Sequence, residues 1–308
     1  MRNPKNSLRV GVICGGNSSE RKISLRSGNA VLKAVARLGY QPIKIDPSSS
    51  SYFKKLDSID IALLTLHGRG GEDGQIQRVL ERKRVPYMGS TSKSSAIAFD
   101  KIKAKKVFCD SKISTPHHFL LTSKNWKRVL SKAKFPLFVK PPKEGSSIGA
   151  FPVEDFKNSA VKLKGALKRF GTLLAEQKVC GREFTVGILG NQVLPVIELR
   201  PSRKFYDFRA KYTKGMTDYL VPAPIPKKVA KRMQQIALKV HKVLGLRDLS
   251  RVDMMMDEKS EKVFVLEANS LPGFTELSLL PKAARAVGIS FEQVCQKLID
   301  WAYARRKR

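Results

Sequence analysis

The chain has 308 residues, 42% of them hydrophobic, enough for two or three compact units around sizeable buried cores. Fifty-nine Lys and Arg against 26 Asp and Glu give a formal charge of +33, a balance that ordinarily points to nucleic acid or another anionic surface. No apolar run approaches the roughly 18–20 residues of a membrane span, and the four cysteines and four histidines are too scattered for a zinc site, so neither a membrane protein nor a transition-metal enzyme is expected.

The basic residues run throughout the chain rather than gathering in one arm. A solvated basic surface is therefore the expectation, with nucleic acid bound only non-specifically at low salt. Near the N-terminus, the apolar stretch 10–14 stops at Gly15-Gly16, too short for the core of a secretory signal, and a cytoplasmic protein is expected.

In chain order, residues 8–14 read as a β-rich run. Apolar residues at helical spacing follow over 23–38 (Leu25, Ala30, Val31, Ala34, Val35, Leu38), with Gly39 as the stop. Residues 41–46 form a second strand and 59–66 a third, nearly continuous in apolar character as buried parallel strands are. This alternation predicts an open parallel sheet with a crevice at the carboxyl ends of its strands. A lysine-rich helix over 100–109 precedes a break at Ser114-Thr115-Pro116. A smaller α+β unit follows, then further strands, a helix over 228–244 and a last helix over 291–303. The fold class is α/β and α+β. Three units in series are expected: 1–96, 97–186 and 187–308.

Several segments carry candidate chemistry, each beside a plainer reading. Gly15-Gly16-Asn17-Ser18-Ser19-Glu20 links a strand to a helix. Its small residues admit a ligand to the backbone, although a generic capped turn fits as well. Glu20 either complements the helix terminus or grips a substrate ammonium. His67-Gly68-Arg69-Gly70-Gly71-Glu72-Asp73-Gly74 closes the third strand, where open sheets place ligands; a flexible surface loop has the same composition. Lys140, ahead of the Gly/Ser loop 144–149, suits polyphosphate but lacks P-loop spacing, and a surface lysine is the alternative. Glu176 and Glu183 flank a turn, able to accept from an amine or a ribose hydroxyl, or simply solvated.

The most informative grouping lies in the last third. Asp253, Glu267 and Asn269 are hard oxygen donors of the kind magnesium selects. On a strand, residues i and i+2 share a face, so Glu267 and Asn269 point together, as do Arg251 and Asp253. Two neighbouring strands so arranged make a platform for metal and phosphate.

Taken in order, Gly15-Gly16-x-Ser18-x-Glu20, His67-Gly68-x-x-Gly71-Glu72-Asp73-Gly74, Lys140-Pro141 with Glu144-Gly145-Ser146-Ser147, Tyr206-Asp207-x-x-x-Lys211-Tyr212, Arg251-x-Asp253 and Glu267-x-Asn269-x-x-Pro272-Gly273 resemble the D-alanine–D-alanine ligase family of the ATP-grasp superfamily. The resemblance runs from about residue 10 to 300. It implies a Rossmann-like N-terminal domain followed by a two-part ATP-grasp fold, and a cytoplasmic ligase that makes D-alanyl-D-alanine for peptidoglycan. ATP would phosphorylate one D-alanine carboxylate, and the amine of a second D-alanine would attack the acyl phosphate.

By this resemblance Lys101, Lys140 and Lys211 hold phosphates. Glu176, Glu183 and the backbone of Gln177 and Val179 take the nucleoside. Asp253, Glu267 and Asn269 bind two magnesium or manganese ions. Glu20, Ser146 and Tyr212 form a hydrogen-bonded chain to the first substrate's ammonium. Arg251 and the Gly273 amide stabilise the oxyanion, while Ser278, Leu279, Lys211 and His67 surround the second substrate. A homodimer is implied as well. D-serine or D-lactate as acceptor, and a non-catalytic basic nucleic-acid-binding relative, are the alternatives. Three positions depart from the family pattern: Arg78, Val265 and Asp248, the last expected to perturb Arg251.

Overall fold

The computed structural model describes residues 7–203, 206, 210, 211, 213 and 215–307. Strands β1 (Arg9–Ile13), β2 (Gln41–Ile45) and β3 (Ile61–Leu64) form a parallel sheet in the order β2-β1-β3. Helix α1 (Arg21–Arg37) is the crossover between β1 and β2. It buries Val31, Ala34 and Val35, one face at i, i+3, i+4 spacing. Central β1 and its neighbour β3 are covered on both sides, which explains their unbroken apolar runs. Short helices α2 (Tyr52–Leu56) and α3 (Gln75–Arg82) complete this part.

Helices α4 (Ser92–Phe99) and α5 (Lys101–Asp110) follow. Asp100 caps α5 by accepting the Ile102 and Lys103 amides, so it precedes the helix rather than opening it. A four-stranded antiparallel sheet is built from β4 (His118–Thr122), β5 (Leu137–Lys140), β6 (Phe151–Val153) and β7 (Thr172–Gln177), in the order β4-β7-β5-β6. Helices α6 (Trp126–Leu130) and α7 (Phe156–Phe170) cover it through Trp126, Leu130, Leu163 and Leu167.

A five-stranded antiparallel sheet comes next, from β8 (Gly181–Leu189), β9 (Gln192–Pro201), β10 (Thr217–Leu220), β11 (Leu249–Asp257) and β12 (Val263–Asn269). Its order is β10-β9-β8-β11-β12, and α8 (Lys227–Val243) packs on one face. The chain ends in α9 (Leu279–Arg285), α10 (Phe291–Ala304) and a 3-10 turn at Arg305–Lys307.

The cores interleave along the chain. Ala98, Ala104 and Phe108, from α4 and α5, pack with the five-stranded sheet. From the other end, Leu280, Val294, Leu298 and Ile299 of α9 and α10 join the core of the parallel sheet. Val265 lies fully buried in the α8-side core, and Arg78 sits on the exposed face of α3. Among the described residues no helix is long and apolar enough to cross a membrane.

Asp248 corrects an expectation. Its φ of 64° is in the left-handed region, which a glycine occupies without strain and an aspartate tolerates better than most residues. Its carboxylate does not face Arg251. It pairs with Arg305 (Oδ1 to Nη1, 3.0 Å; Oδ2 to Nη2, 2.5 Å) and accepts the Gly89 amide at 2.7 Å.

Candidate active site

Strands β11 and β12 pair so that Arg251 faces Asn269 and Asp253 faces Glu267. All four polar side chains therefore share one face, as the alternation of strands demands. The Arg251 guanidinium holds Asp253 in a fork, Nε to Oδ1 at 2.9 Å and Nη2 to Oδ2 at 2.8 Å. Asn269 Nδ2 donates to Asp253 Oδ2 at 3.0 Å, and Thr185 Oγ1 on β8 donates to Oδ1 at 2.6 Å. Burial alone would lower the Arg251 basicity, but Asp253 outweighs it and holds the guanidinium firmly charged.

Glu267 Oε2 lies 3.2 Å from Lys101 Nζ. Burial pushes its carboxyl up, yet Lys101, Lys140 and Lys211 dominate and keep it ionised well below the usual carboxylate range. Among the described residues no three or more His, Cys, Asp or Glu side chains converge as a metal cluster. Two carboxylates and a carboxamide on one face nonetheless fit magnesium, which takes one or two protein carboxylates and completes its shell with water and substrate phosphate.

A cavity of about 710 Å³ opens between the two antiparallel sheets. Its apolar lining includes Phe138, Val179, Met255 and Leu266; Lys101, Lys140, Glu176, Glu183 and Lys211 supply the polar groups. Lys140, at the end of β5, reaches Glu176 Oε2 at 2.8 Å. Gln177 ends β7, where its amide donates to His117 O at 2.8 Å, and Val179 lies on the link to β8. Among the described residues Glu183 has no comparable ion pair, and burial pushes its carboxyl up to about 7, with Lys211 the leading opposing influence.

A second cavity of about 410 Å³ adjoins the first and shares Gly145, Ser146, Tyr206, Lys211 and Glu267 with it. Glu20, immediately ahead of α1, has its carboxylate buried there and takes a short hydrogen bond from Ser146 Oγ. Burial and then neighbouring Glu72 raise the Glu20 carboxyl above its ordinary value. His67 is fixed between Ser27 Oγ (3.2 Å from Nε2) and Glu72 Oε1 (3.5 Å from Nδ1). Arg251, Gly273, Ser278 and Leu279 also line this cavity. Ser278 Oγ accepts the Thr275 amide at 2.9 Å.

The loop 144–149 lies across the junction. Ser146 and Ser147 have φ of 49° and 58°, conformations that cost a non-glycine residue on the order of 1 kcal/mol or more each. Ser146 is held by Glu20, and Ser147 Oγ donates to Tyr206 O at 3.0 Å. Lys211 Nζ stands 5.1 Å from the centre of the Tyr206 ring. Tyr212 lies outside the described residues, as does most of the segment 204–214.

The expected residues that are described thus gather around two touching cavities. Sequence reasoning missed three others. Glu72 orients His67 and faces Glu20, and Thr185 anchors Asp253. Lys105 pairs with Glu176 at 2.5 Å and is wholly buried. Two of them left a signal: Lys105 stands four residues after Lys101, hence on the same helical face, and Glu72 lies within the Gly-rich motif 67–74, where sequence alone assigns it no role.

Two antiparallel sheets clasping a lysine-lined cavity beside a carboxylate platform, behind a parallel α/β unit, define an ATP-grasp ligase. The D-ala D-ala ligase C-terminus family matches residues 111–300 and the D-ala D-ala ligase N-terminus family residues 44–90. A D-alanine–D-alanine ligase of Syntrophotalea carbinolica is 39% identical over 300 residues, 97% of each chain. One from Carboxydothermus hydrogenoformans is 39% identical over 303 residues, covering 95% of this chain and 97% of its own. The crystal structure of D-alanine–D-alanine ligase from Bacillus anthracis complexed with ATP superposes with a TM-score of 0.86 at 33% identity, over 98% of this chain and 99% of that one. A D-Ala:D-Ser ligase from Enterococcus faecalis gives a TM-score of 0.83 at 28% identity, over 96% and 99%.

The chain belongs to the D-alanine–D-alanine ligase family. Its activity is the ATP-dependent joining of two D-alanines, the dipeptide step of peptidoglycan synthesis; the alternative acceptors and the non-catalytic reading are not favoured.

Proposed function

We propose that the larger cavity holds ATP and the smaller one two D-alanines, with the reacting atoms meeting at the shared rim. That rim carries the reading: Ser146, Lys211 and Glu267 border both cavities, so a transferred phosphoryl and its acceptor carboxylate would lie within reach of one another.

Glu176, Glu183 and the backbone of Gln177 and Val179 hold the nucleoside; Lys101, Lys140 and Lys211 hold the phosphates. Asp253, Glu267 and Asn269 would bind magnesium, which supplies charge neutralisation on the transferring phosphoryl group. Glu20, supported by Ser146 and Tyr212, receives the ammonium of the first D-alanine and turns its carboxylate toward the γ-phosphorus. That carboxylate oxygen attacks, ADP leaves, and an acyl phosphate forms. The amine of the second D-alanine, with its carboxylate near Ser278, Lys211, Leu279 and His67, then attacks the carbonyl carbon. Arg251 and the Gly273 amide stabilise the oxyanion as it develops, and inorganic phosphate departs with the proton that the amine gives up as the amide forms. The loop 144–149 excludes water from the acyl phosphate, which water would otherwise hydrolyse.

The reading further assigns units 1–96, 97–186 and 187–308, a cytoplasmic location and a homodimer that sedimentation would register. Purified chain given ATP, magnesium and D-alanine should release phosphate in step with dipeptide. Glu267→Gln, which removes one anionic ligand while keeping shape, should lower kcat by about 100-fold or more. A wild-type chain silent with D-alanine overturns the reading. A Glu267→Gln variant of undiminished rate removes Glu267 from its role.

A further inference from the structure

A lysine withdrawn from solvent lies directly behind the larger cavity. Lys105, on α5, has no exposed surface; its Nζ stands 2.5 Å from Glu176 Oε1 and donates to Thr115 Oγ1 at 2.5 Å. Thr115 Oγ1 donates in turn to Val265 O at 2.8 Å, which ties the ammonium to β12. The other carboxylate oxygen, Oε2, takes Lys140 Nζ at 2.8 Å. Lys140 and Glu176 line the cavity, whereas Lys105 does not touch it.

Glu176 alone does not balance two ammoniums, and Glu267 is the next carboxylate acting on both. Burying an ammonium is costly, and proteins rarely do so without a partner. Lys105 satisfies that demand from below and neutralises Glu176. Lys140 faces the cavity, where Glu267 and Asp253 also favour its charged form, and His118, opposite Glu176 on β4, has its basicity lowered by burial. An ionised carboxylate has only acceptor oxygens, whereas a protonated one also donates. A Glu176 held ionised therefore welcomes a 6-amino group and repels a 6-oxo group placed in the same position.

We propose that Lys105 is a positioning residue that keeps Glu176 an acceptor, so that Glu176 selects a 6-aminopurine over a 6-oxopurine nucleotide while Lys140 keeps its charge toward the phosphates. The inference rests on the assignment of the larger cavity to the nucleotide. Without Lys105, Glu176 has two courses. It draws Lys140 away from the phosphates, or it takes up a proton because a buried carboxyl short of cations is neutral more readily. The first course weakens nucleotide binding; the second erases the distinction between amino and oxo groups.

The test compares ATP with inosine triphosphate in the full chain, for wild type, Lys105→Met and Lys105→Arg, from pH 6.5 to 9. In Lys105→Met the ATP-to-ITP ratio of kcat/KM should fall by at least ~10-fold and the KM for ATP should rise, with the D-alanine KM values held. The ratio should recover toward alkaline pH as Glu176 ionises again, and Lys105→Arg should keep it near the wild-type value. A folded Lys105→Met with an unchanged ratio overturns the proposal. So does an equal loss with both nucleotides accompanied by a raised D-alanine KM, the mark of a merely structural role. Should the Met variant fail to fold, Lys105→Gln removes the charge but keeps a donor, and is subject to the same criteria. A wild-type chain that neither binds nor consumes ATP overturns the nucleotide assignment itself, and the proposal with it. The ATP-binding measurement separates that result from a failure of Lys105 alone.

Discussion

At the residue scale, the site is a set of charges whose ionisation is decided by burial against neighbours. Glu183 is the case where burial wins. Its carboxyl is raised from an ordinary carboxylate value to about 7. Between those two values the folded chain holds a proton that the unfolded chain has released, so stability falls as pH rises through this window and the full penalty is felt above about pH 7. Glu183→Gln removes the titration and should stabilise the nucleotide-free chain at pH 8 by roughly 1–2 kcal/mol, a figure discounted because the side chain is only half-buried. Near pH 4.5 the change should be close to zero. Thermal melts of both chains across pH 4.5–8.5 check the sign, and a constant difference would contradict it.

At the element scale, the strand pattern was the most legible part. Alternation along 263–269 placed Glu267 and Asn269 together, and the pairing of β11 with β12 brings Asp253 opposite Glu267. Helix extents were also readable, because apolar spacing and cap residues are local signals. The partners of Glu176 were not. Local pattern marks Lys105 as one lysine in a lysine-rich helix, and nothing within a few residues shows that a glutamate 71 positions later meets it. Asp248 misled for a similar reason: its closeness to Arg251 in sequence outweighed the side-chain direction set by its left-handed backbone.

The loop 144–149 yields a prediction at this same scale. A Cβ on Gly145 would come within 2.8 Å of Glu20 Oε2, so Gly145→Ala should displace the ammonium-binding carboxylate. We expect kcat/KM for D-alanine to fall about 10- to 100-fold with the KM for ATP nearly unchanged, measured by initial rates with each substrate varied. An equal rise in both KM values would place the effect elsewhere.

At the scale of the whole molecule, Asp248 joins parts distant in sequence. It binds Arg305 in the turn 305–307 and the Gly89 amide between α3 and α4, while Arg305 Nη2 also donates to Tyr87 O at 2.7 Å. Asp248→Ala leaves a largely buried guanidinium and an amide without their partner, which should cost about 3 kcal/mol. Because Asp248 lies outside both cavities, kcat per folded molecule should stay within about twofold. Denaturant titration beside initial rates separates these two outcomes.

The first core is closed by the last long helix. Val294, Leu298 and Ile299 pack among residues of β1 and β3, Arg37 pairs with Glu292, and the Gln296 amide donates to Tyr40 Oη. A growing polypeptide emerging from the ribosome therefore presents its parallel sheet with one wall missing until α10 has been made. That early segment must wait, apolar side outward, for Phe291–Ala304 to arrive. Vectorial synthesis gives it no head start over the domains that follow.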